Sequence, residues 1–338
     1  MERTFESARP TAGPLRHGPG PADHVDDVAL AERIAQEVCG RRARVELIPS
    51  HYNAVFRLWF RDGTSKVLKL AKRPPDQAST RKELFIFERL VEHAVPAPVV
   101  EHQDVAGRQF GFPFFIMRSA GDRTVAEWVH EADDAAQRLL EQMGRVFALI
   151  HGVTFDKTGP IVHDRVSPVR NAALERRTFE EWCHRLIDDI ERRGLLSAAE
   201  VKQVRKVVGG LPTMQGASLC HGDFHAAQCI VDVQAGVPRI TAVVDWEAAS
   251  AGDAVYDYAD HHVYMDNTYH PVLVDAFRRG YESMRPLPRA YDADYKGVRM
   301  IQQLVLVRTF HRRVEPDRVR RGIEQYRKLA VRRRGLLG

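Results

Sequence analysis

The sequence has no apolar run near the ~18 residues that a membrane-crossing helix needs, so no membrane-spanning segment is expected. It has only four cysteines, Cys39, Cys183, Cys220 and Cys229, with no CxxC and no paired spacing. That argues against a disulfide framework or a zinc knuckle, and a reducing cytoplasm is the compartment that fits. There is no internal repeat. The opening MERTFESARPTAGPLRHGPGPADH lacks an apolar core, which argues against a secretory signal. Its Pro and Gly content predicts a disordered leader over residues 1–24. Charge of one sign is scarce, the formal net being +5. Much of that excess sits in VRTFHRR and VRRRGLLG, without the aromatic interleaving or motif of a nucleic-acid binder. The cluster reads as a solvated helix face, and no nucleic-acid partner is expected.

What is present is an ordinary globular composition. The 338 residues, 44 % apolar and 28 % charged, suffice to bury a core in one large domain or two modest ones. DDVALAERIAQEVCG predicts a helix capped by Asp26 or Asp27, with Leu30, Ile34 and Val38 on one face and Gly40 at its end. ARVELIPS, NAVFRLWF and SKVLKLA read as strands, and Asp62–Gly63 between the last two predicts a hairpin. RKELFIFERLVEHA predicts a helix that VPAPVV ends, and RQFGFPFFIMRSA predicts two strands about a turn near Gly111. From about Gly121 the pattern becomes helical. Leu139, Met143, Val146 and Ile150 recur at helical spacing. Thr178 with Glu181, and Ser197 with Glu200, read as capping boxes, with Gly194 and Gly209 as stops. One hairpin, CIVDV then ITAVV, interrupts the helices, which resume in PVLVDAFRRGYESM and KGVRMIQQLVLVRTFHRR. The class is α+β: a small strand-rich part, then a larger helical part with one hairpin inside it.

The ends of that hairpin carry chemistry. SLCHGDFHAAQCIVDVQAGVPRITAVVDWE holds Asp223, then Gln228 five residues on, then the two strands, then Asp245. Phosphoryl transfer is mostly positioning and electrostatics. It wants one carboxylate to accept the proton of an incoming hydroxyl, and an amide and a second carboxylate to hold Mg²⁺ on the triphosphate. It also wants a lysine from elsewhere to grip the phosphates, and an acid to aim that lysine. Asp223, Gln228 and Asp245 stand in the kinase order. Lys69, in the strand KVLKL, and Glu83, opening the next helix, supply the remaining pair.

The block HGDFHAAQ…VVDWE resembles the aminoglycoside phosphotransferase and choline kinase group, small-molecule kinases with a protein-kinase-like fold. The likeness runs roughly from Val45 to Ala259. NAVFRL resembles that group's phosphate-covering hairpin, FIMRSAGDRT its adenine-hinge segment, FALIHGV the helix end before its substrate region, and AGDAVYDYAD the segment after its metal-binding Asp. The resemblance implies a bilobal fold, with a small antiparallel-sheet N-lobe over 25–118 and a larger, mainly helical C-lobe over 119–338. It implies Asp223 as catalytic base, Gln228 and Asp245 as Mg²⁺ ligands, and Lys69 on the phosphates with Glu83 as its partner. It implies Ser50 and Asn53 in the phosphate loop, and backbone groups near Arg118 and Ser119 against the purine. The donor implied is ATP or GTP, and the acceptor is a hydroxyl of an antibiotic or similar small polar metabolite.

Two features depart from the group's pattern. PSHYNAV has no glycine where a phosphate loop is expected, and Gln228 replaces Asn, one methylene longer. They motivate an alternative: a kinase-shaped pseudoenzyme with a binding or regulatory role. A protein kinase is disfavoured, because D-F-G and A-P-E are absent.

The remaining polar residues divide. His221 reads as an orienting residue rather than a proton shuttle. A metal site of His221, His225 and Asp223 lacks the further ligand cluster it would need. His261 and His262 read as ordinary helix residues. Asp253 to Asp275 holds five Asp and no Lys or Arg. Those carboxylates are either braces and a solvated face, with Asp253 and Asp257 as caps, or a wall that meets a cationic substrate. Trp182, Tyr264 and Asp266 are further candidates for lining the acceptor pocket. Nothing in the sequence speaks to oligomeric state.

Overall fold

The computed structural model describes residues 28–48, 53–71, 77–129, 133–167 and 172–331. The expected leader, the caps Asp26 and Asp27, Ser50 and most of VRRRGLLG lie outside the described residues. In the front part, α1 (Val28–Cys39) precedes β1 (Arg44–Ile48), β2 (Asn53–Trp59) and β3 (Ser65–Ala71). Then come α2 (Gln77–Glu92), β4 (Val100–Asp104) and β5 (Phe114–Arg118). The strands form one antiparallel sheet in the order β1-β2-β3-β5-β4. The Asp62–Gly63 turn closes β2 on β3, with the Asp62 carboxylate accepting from the Thr64 N–H at 3.0 Å.

Strand alternation divides this sheet between two cores. Phe114 and Ile116 face α1 with Phe56, Leu58 and Leu68, forming a small cluster. Phe115 and Met117 point the other way, join Ile86, Phe87 and Leu90 of α2, and merge with the main core. The structure corrects the expected strand at RQF. The strand paired with β5 lies earlier, over Val100–Asp104, and residues 105–113 form the turn.

After Arg118 the chain crosses into the larger part through β6 (Arg123–Thr124), α3 (Val125–Trp128), α4 (Asp134–Gly152), β7 (Gly159–Val162) and β8 (Arg165–Val166). Next are α5 (Ala172–Arg192) and α6 (Ala198–Val208). Ser197 caps α6 in a full capping box with Glu200. Thr178 caps nothing, because it lies inside α5. Strands β9 (Ser218–Cys220), β10 (Cys229–Gln234), β11 (Val237–Val243) and β12 (Ser250–Gly252) follow. The chain continues through α7 (Ala254–Thr268), α8 (Pro271–Glu282), α9 (Tyr291–Asp294), α10 (Lys296–Arg312) and α11 (Pro316–Val331).

The expected hairpin is β10–β11, and β6 extends it into a three-stranded sheet. A second small sheet, β8-β7-β12-β9, was not foreseen. The helices pack around it. The α4–α8 crossing is especially close: a Cβ on Gly144 would meet the Phe277 carbonyl at 2.0 Å, and one on Gly280 would meet the Glu141 carbonyl at 1.9 Å. Only glycine fits either position. Phe147 of α4 lies at the centre of the main core, its ring stacked on Phe224 at 4.2 Å. Arg312, at the end of α10, stands 3.9 Å from Asp189 of α5, so part of the basic cluster ties helices together.

Candidate active site

The β10–β11 hairpin brings its two ends together. Gln228 closes a one-turn 3-10 segment (Ala226–Gln228), and its carbonyl accepts from the Val244 N–H at 2.9 Å. Its side-chain Nε2 donates to Asp245 Oδ2 at 2.8 Å and lies 3.2 Å from His225 Nε2. Asp245 has φ 67° and ψ 59°, a left-handed conformation that costs a non-glycine residue ~1 kcal/mol or more. The next residue anchors the turn: Trp246 is fully buried and its indole N–H donates to the Val243 carbonyl at 3.0 Å.

Asp223 sits on the turn after β9. Gly222 there has φ 74°, and a Cβ would lie 2.6 Å from the Ala248 carbonyl, so glycine is required twice over. Asp257 of α7 clamps this turn. Its Oδ2 accepts from the His221 N–H at 2.8 Å, and its Oδ1 from the Gly222 N–H at 3.1 Å. His151, at the end of α4, presents Nε2 to the same carboxylate at 3.1 Å and Nδ1 to the Tyr281 hydroxyl at 2.8 Å. A neutral imidazole with its proton on Nε2 satisfies both bonds. Asp223 itself stays accessible, with 16 % of its side chain exposed and His225 Nε2 3.5 Å from Oδ2.

His221 and His261 serve the backbone. His221 is buried, and burial lowers its pKa despite the opposing charges of Asp223, Asp257 and Asp245. It is therefore neutral and orients the turn by bonding the Val244 carbonyl at 3.0 Å. His261 and His262 are not surface residues of α7, because that helix is buried on most sides. His261 Nδ1 donates to the Phe224 carbonyl at 2.6 Å, next to Asp223. Burial drives the His261 pKa to about 3. His262 Nδ1 meets the Tyr291 hydroxyl at 3.0 Å.

The front sheet supplies the cation. Lys69 Nζ donates to both Glu83 oxygens, at 2.7 and 2.8 Å. Burial pulls its pKa down, but Glu83, Glu247 and Asp245 outweigh that and the net shift is upward. The ammonium thus stays charged and within electrostatic reach of the Asp245 turn. Sequence reasoning left Glu247 without a role. Its carboxylate stands 3.6 Å from Lys69 and accepts from Asn53 Nδ2, and its carbonyl accepts from Lys82 Nζ at 2.7 Å. The signal was in the sequence, as the acid two residues after Asp245 in VVDWE. Burial pushes the Lys82 pKa down to about 8, against the opposing charges of Glu83 and Glu247.

A model of the phosphotransferase enzyme family matches residues 44–294. The chain belongs to that family. Among solved structures, this phosphotransferase is similar to aminoglycoside phosphotransferase APH(4)-Ia, at 15 % identity over 91 % of this chain and 99 % of that one, with a TM-score of 0.64. It is likewise similar to APH(2")-IIia in a GDP and kanamycin complex, at 15 % identity over 91 % and 100 % of the two chains, with a TM-score of 0.60. Those likenesses establish the fold: an α+β, two-lobed, protein-kinase-like architecture. No curated protein matches the sequence.

The remaining candidates of the phosphotransferase separate. Asp253 serves as a cap and brace. Its Oδ1 caps α7 through the Val255 N–H at 2.7 Å, and its Oδ2 accepts from the Gln215 N–H at 2.7 Å. Asp257 is spent on the clamp. Asp266 bonds Arg299 at 2.6 Å, so its charge is compensated. Trp182 is buried in the core, stacked on Phe179 at 5.8 Å, and offers no open face. Tyr264 remains near the site, its ring 5.4 Å from His225. The Arg118 N–H is used by the Val99 carbonyl at 2.9 Å, and the Ser119 N–H reaches the Ser65 carbonyl at 3.4 Å, the weaker of the two bonds. Among the described residues no cluster of His, Cys, Asp and Glu forms a metal cage, and no helix is long and apolar enough to cross a membrane.

Proposed function

We propose that this phosphotransferase moves the γ-phosphate of ATP or GTP onto a hydroxyl of a small polar molecule, an antibiotic or a similar metabolite. The observation that carries the reading is the meeting of Lys69, aimed by Glu83, with the hairpin ends that bear Gln228 and Asp245, beside the clamped turn of Asp223. A lobe boundary at Arg118–Ser119 and a cytoplasmic site of action belong to the same proposal. Solved relatives support the choice of donor and acceptor. One APH(4)-Ia structure holds AMP-PNP and hygromycin B, and the APH(2")-IIia structure holds GDP and kanamycin.

In this reading Lys69 neutralises and orients the phosphates, and Glu83 keeps its ammonium aimed. Asp223 accepts the proton of the attacking hydroxyl as the new oxygen–phosphorus bond forms and the β,γ-bridging bond breaks. The residues at the hairpin ends carry groups that suit Mg²⁺, a hard cation that prefers oxygen donors: Asp245 would offer a carboxylate oxygen, and Gln228, whose Nε2 donates to that carboxylate at 2.8 Å, would offer its amide oxygen. When bound, Mg²⁺ supplies charge neutralisation on the triphosphate. The acceptor need not be a polycation, because Asp253, Asp257 and Asp266 are all engaged within the protein.

The test is ADP or GDP release across a panel of hydroxylated antibiotics, sugars and amino alcohols, followed by single-turnover transfer from labelled nucleotide. Transfer to at least one hydroxyl supports the proposal. Nucleotide binding with neither transfer nor hydrolysis would favour the kinase-shaped pseudoenzyme, which the Gln228–Asp245 bond keeps in view.

A further inference from the structure

Glu247 touches three separate elements of the front lobe. Its carboxylate accepts from Asn53 at the start of β2 and stands 3.6 Å from Lys69 on β3, while its carbonyl accepts from Lys82 on α2 at 2.7 Å. It lies two residues beyond Asp245, so any shift of the front sheet relative to the hairpin must stretch or break these bonds. The bonds reach the start of β2, an inner strand of the sheet. The residues before Asn53, PSHY, contain no glycine.

Lys69 has no need of a second acid to aim it, since Glu83 already holds it with both oxygens. A further carboxylate close to a triphosphate repels it. Its placement there points to a separate role, and the Asn53 bond supplies one.

Resting on the phosphotransfer reading above, we propose that Glu247 is a positioning residue, a latch that fixes the start of β2 against the Asp245 turn and so sets how closely the front sheet covers the nucleotide. Asn53 is the other half of the latch. Lys82 secures the backbone of the same turn to α2.

The experiment measures ATP and GTP affinity by calorimetry on the full chain, with Mg²⁺ and again with EDTA. The variants are Asn53→Ala, Glu247→Ala, their double, and Glu247→Gln. A hydrogen bond to a charged group predicts that each alanine variant loses roughly tenfold in affinity. The double variant loses no more than about threefold beyond either single, because the two residues share one interaction. Glu247→Gln keeps the acceptor for Asn53 and recovers most of the loss, and the fold-losses are the same with and without Mg²⁺. Losses that multiply in the double variant overturn the latch. So does a loss confined to the Mg²⁺ form, which makes Glu247 a cation ligand, and so does a glutamine variant as poor as the alanine one. A wild-type chain that binds neither nucleotide overturns the phosphotransfer reading itself. A wild type that binds normally while the variants behave otherwise than stated overturns the latch alone.

Discussion

The turn that carries Asp223 and the helix that carries Asp257 are in direct contact, yet they use the same functional group in opposite ways. Asp257 keeps 3 % of its side chain exposed, and backbone N–H groups together with an imidazole occupy both oxygens. Asp223 keeps 16 %, and His225 Nε2 stands 3.5 Å from its Oδ2. A carboxylate bonded to fixed backbone donors holds structure, and one left partly exposed can exchange a proton. Removing each should therefore damage different properties.

The largest expected effect is on turnover. Asp223→Asn should lower kcat by on the order of 10²–10⁴ while nucleotide affinity and the urea midpoint stay close to wild type; near-normal single-turnover transfer would remove Asp223 from the reaction. Asp257→Asn should reverse the pattern. Loss of a buried, multiply bonded carboxylate should cost about 2–4 kcal/mol of stability in urea unfolding, and an unchanged midpoint would end the contrast.

A pH series sharpens the same comparison. Burial lowers the His151 pKa even though Asp257 opposes it. The unfolded chain then takes up a proton at about pH 6.5 that the folded chain refuses, so stability declines as pH falls below that value. For Asp257, burial would raise the pKa, but His151 and the His221 N–H more than offset it and the net shift is downward. Its contribution is complete above the ordinary aspartate pKa and is lost as pH falls from about 4 toward its lowered folded value. Urea midpoints measured from pH 7 to pH 3 should decline through both regions in the wild type, with the lower one flattened in Asp257→Asn. The smallest effect is expected at Trp182. Substitution by Phe should cost under about 1.5 kcal/mol and leave acceptor KM unchanged, and a large rise in KM would return that ring to the pocket.

Much of the site was legible because its chemistry is local. Asp223, Gln228 and Asp245 flank one hairpin whose strands alternate clearly, and Lys69 and Glu83 sit on neighbouring elements. The tertiary use of the acidic stretch was not legible. Spacing along α7 does not say that the helix is buried on most sides, so braces and a wall facing a cationic substrate stood as equal readings; Asp253 and Asp257 are braces, and Asp266 pairs with Arg299. The small sheet was hidden for a simpler reason: β8 has two residues and β12 three, too few for any periodicity. Thr178 and Glu181 show the opposite error, a capping pattern that recurs inside a continuous helix. Glu247 went unassigned because its partners Asn53 and Lys82 lie 194 and 165 residues away in sequence.

The paired glycines of α4 and α8 have a reach beyond their own crossing. Gly280 precedes Tyr281, whose hydroxyl meets His151, and His151 in turn supports the acid that fixes the Asp223 turn. A methyl group at position 280 would wedge the two helices apart and loosen the far end of that relay. An assay would then record slow chemistry from a surface-to-surface misfit between helices, with every residue at the reaction centre still in its native identity.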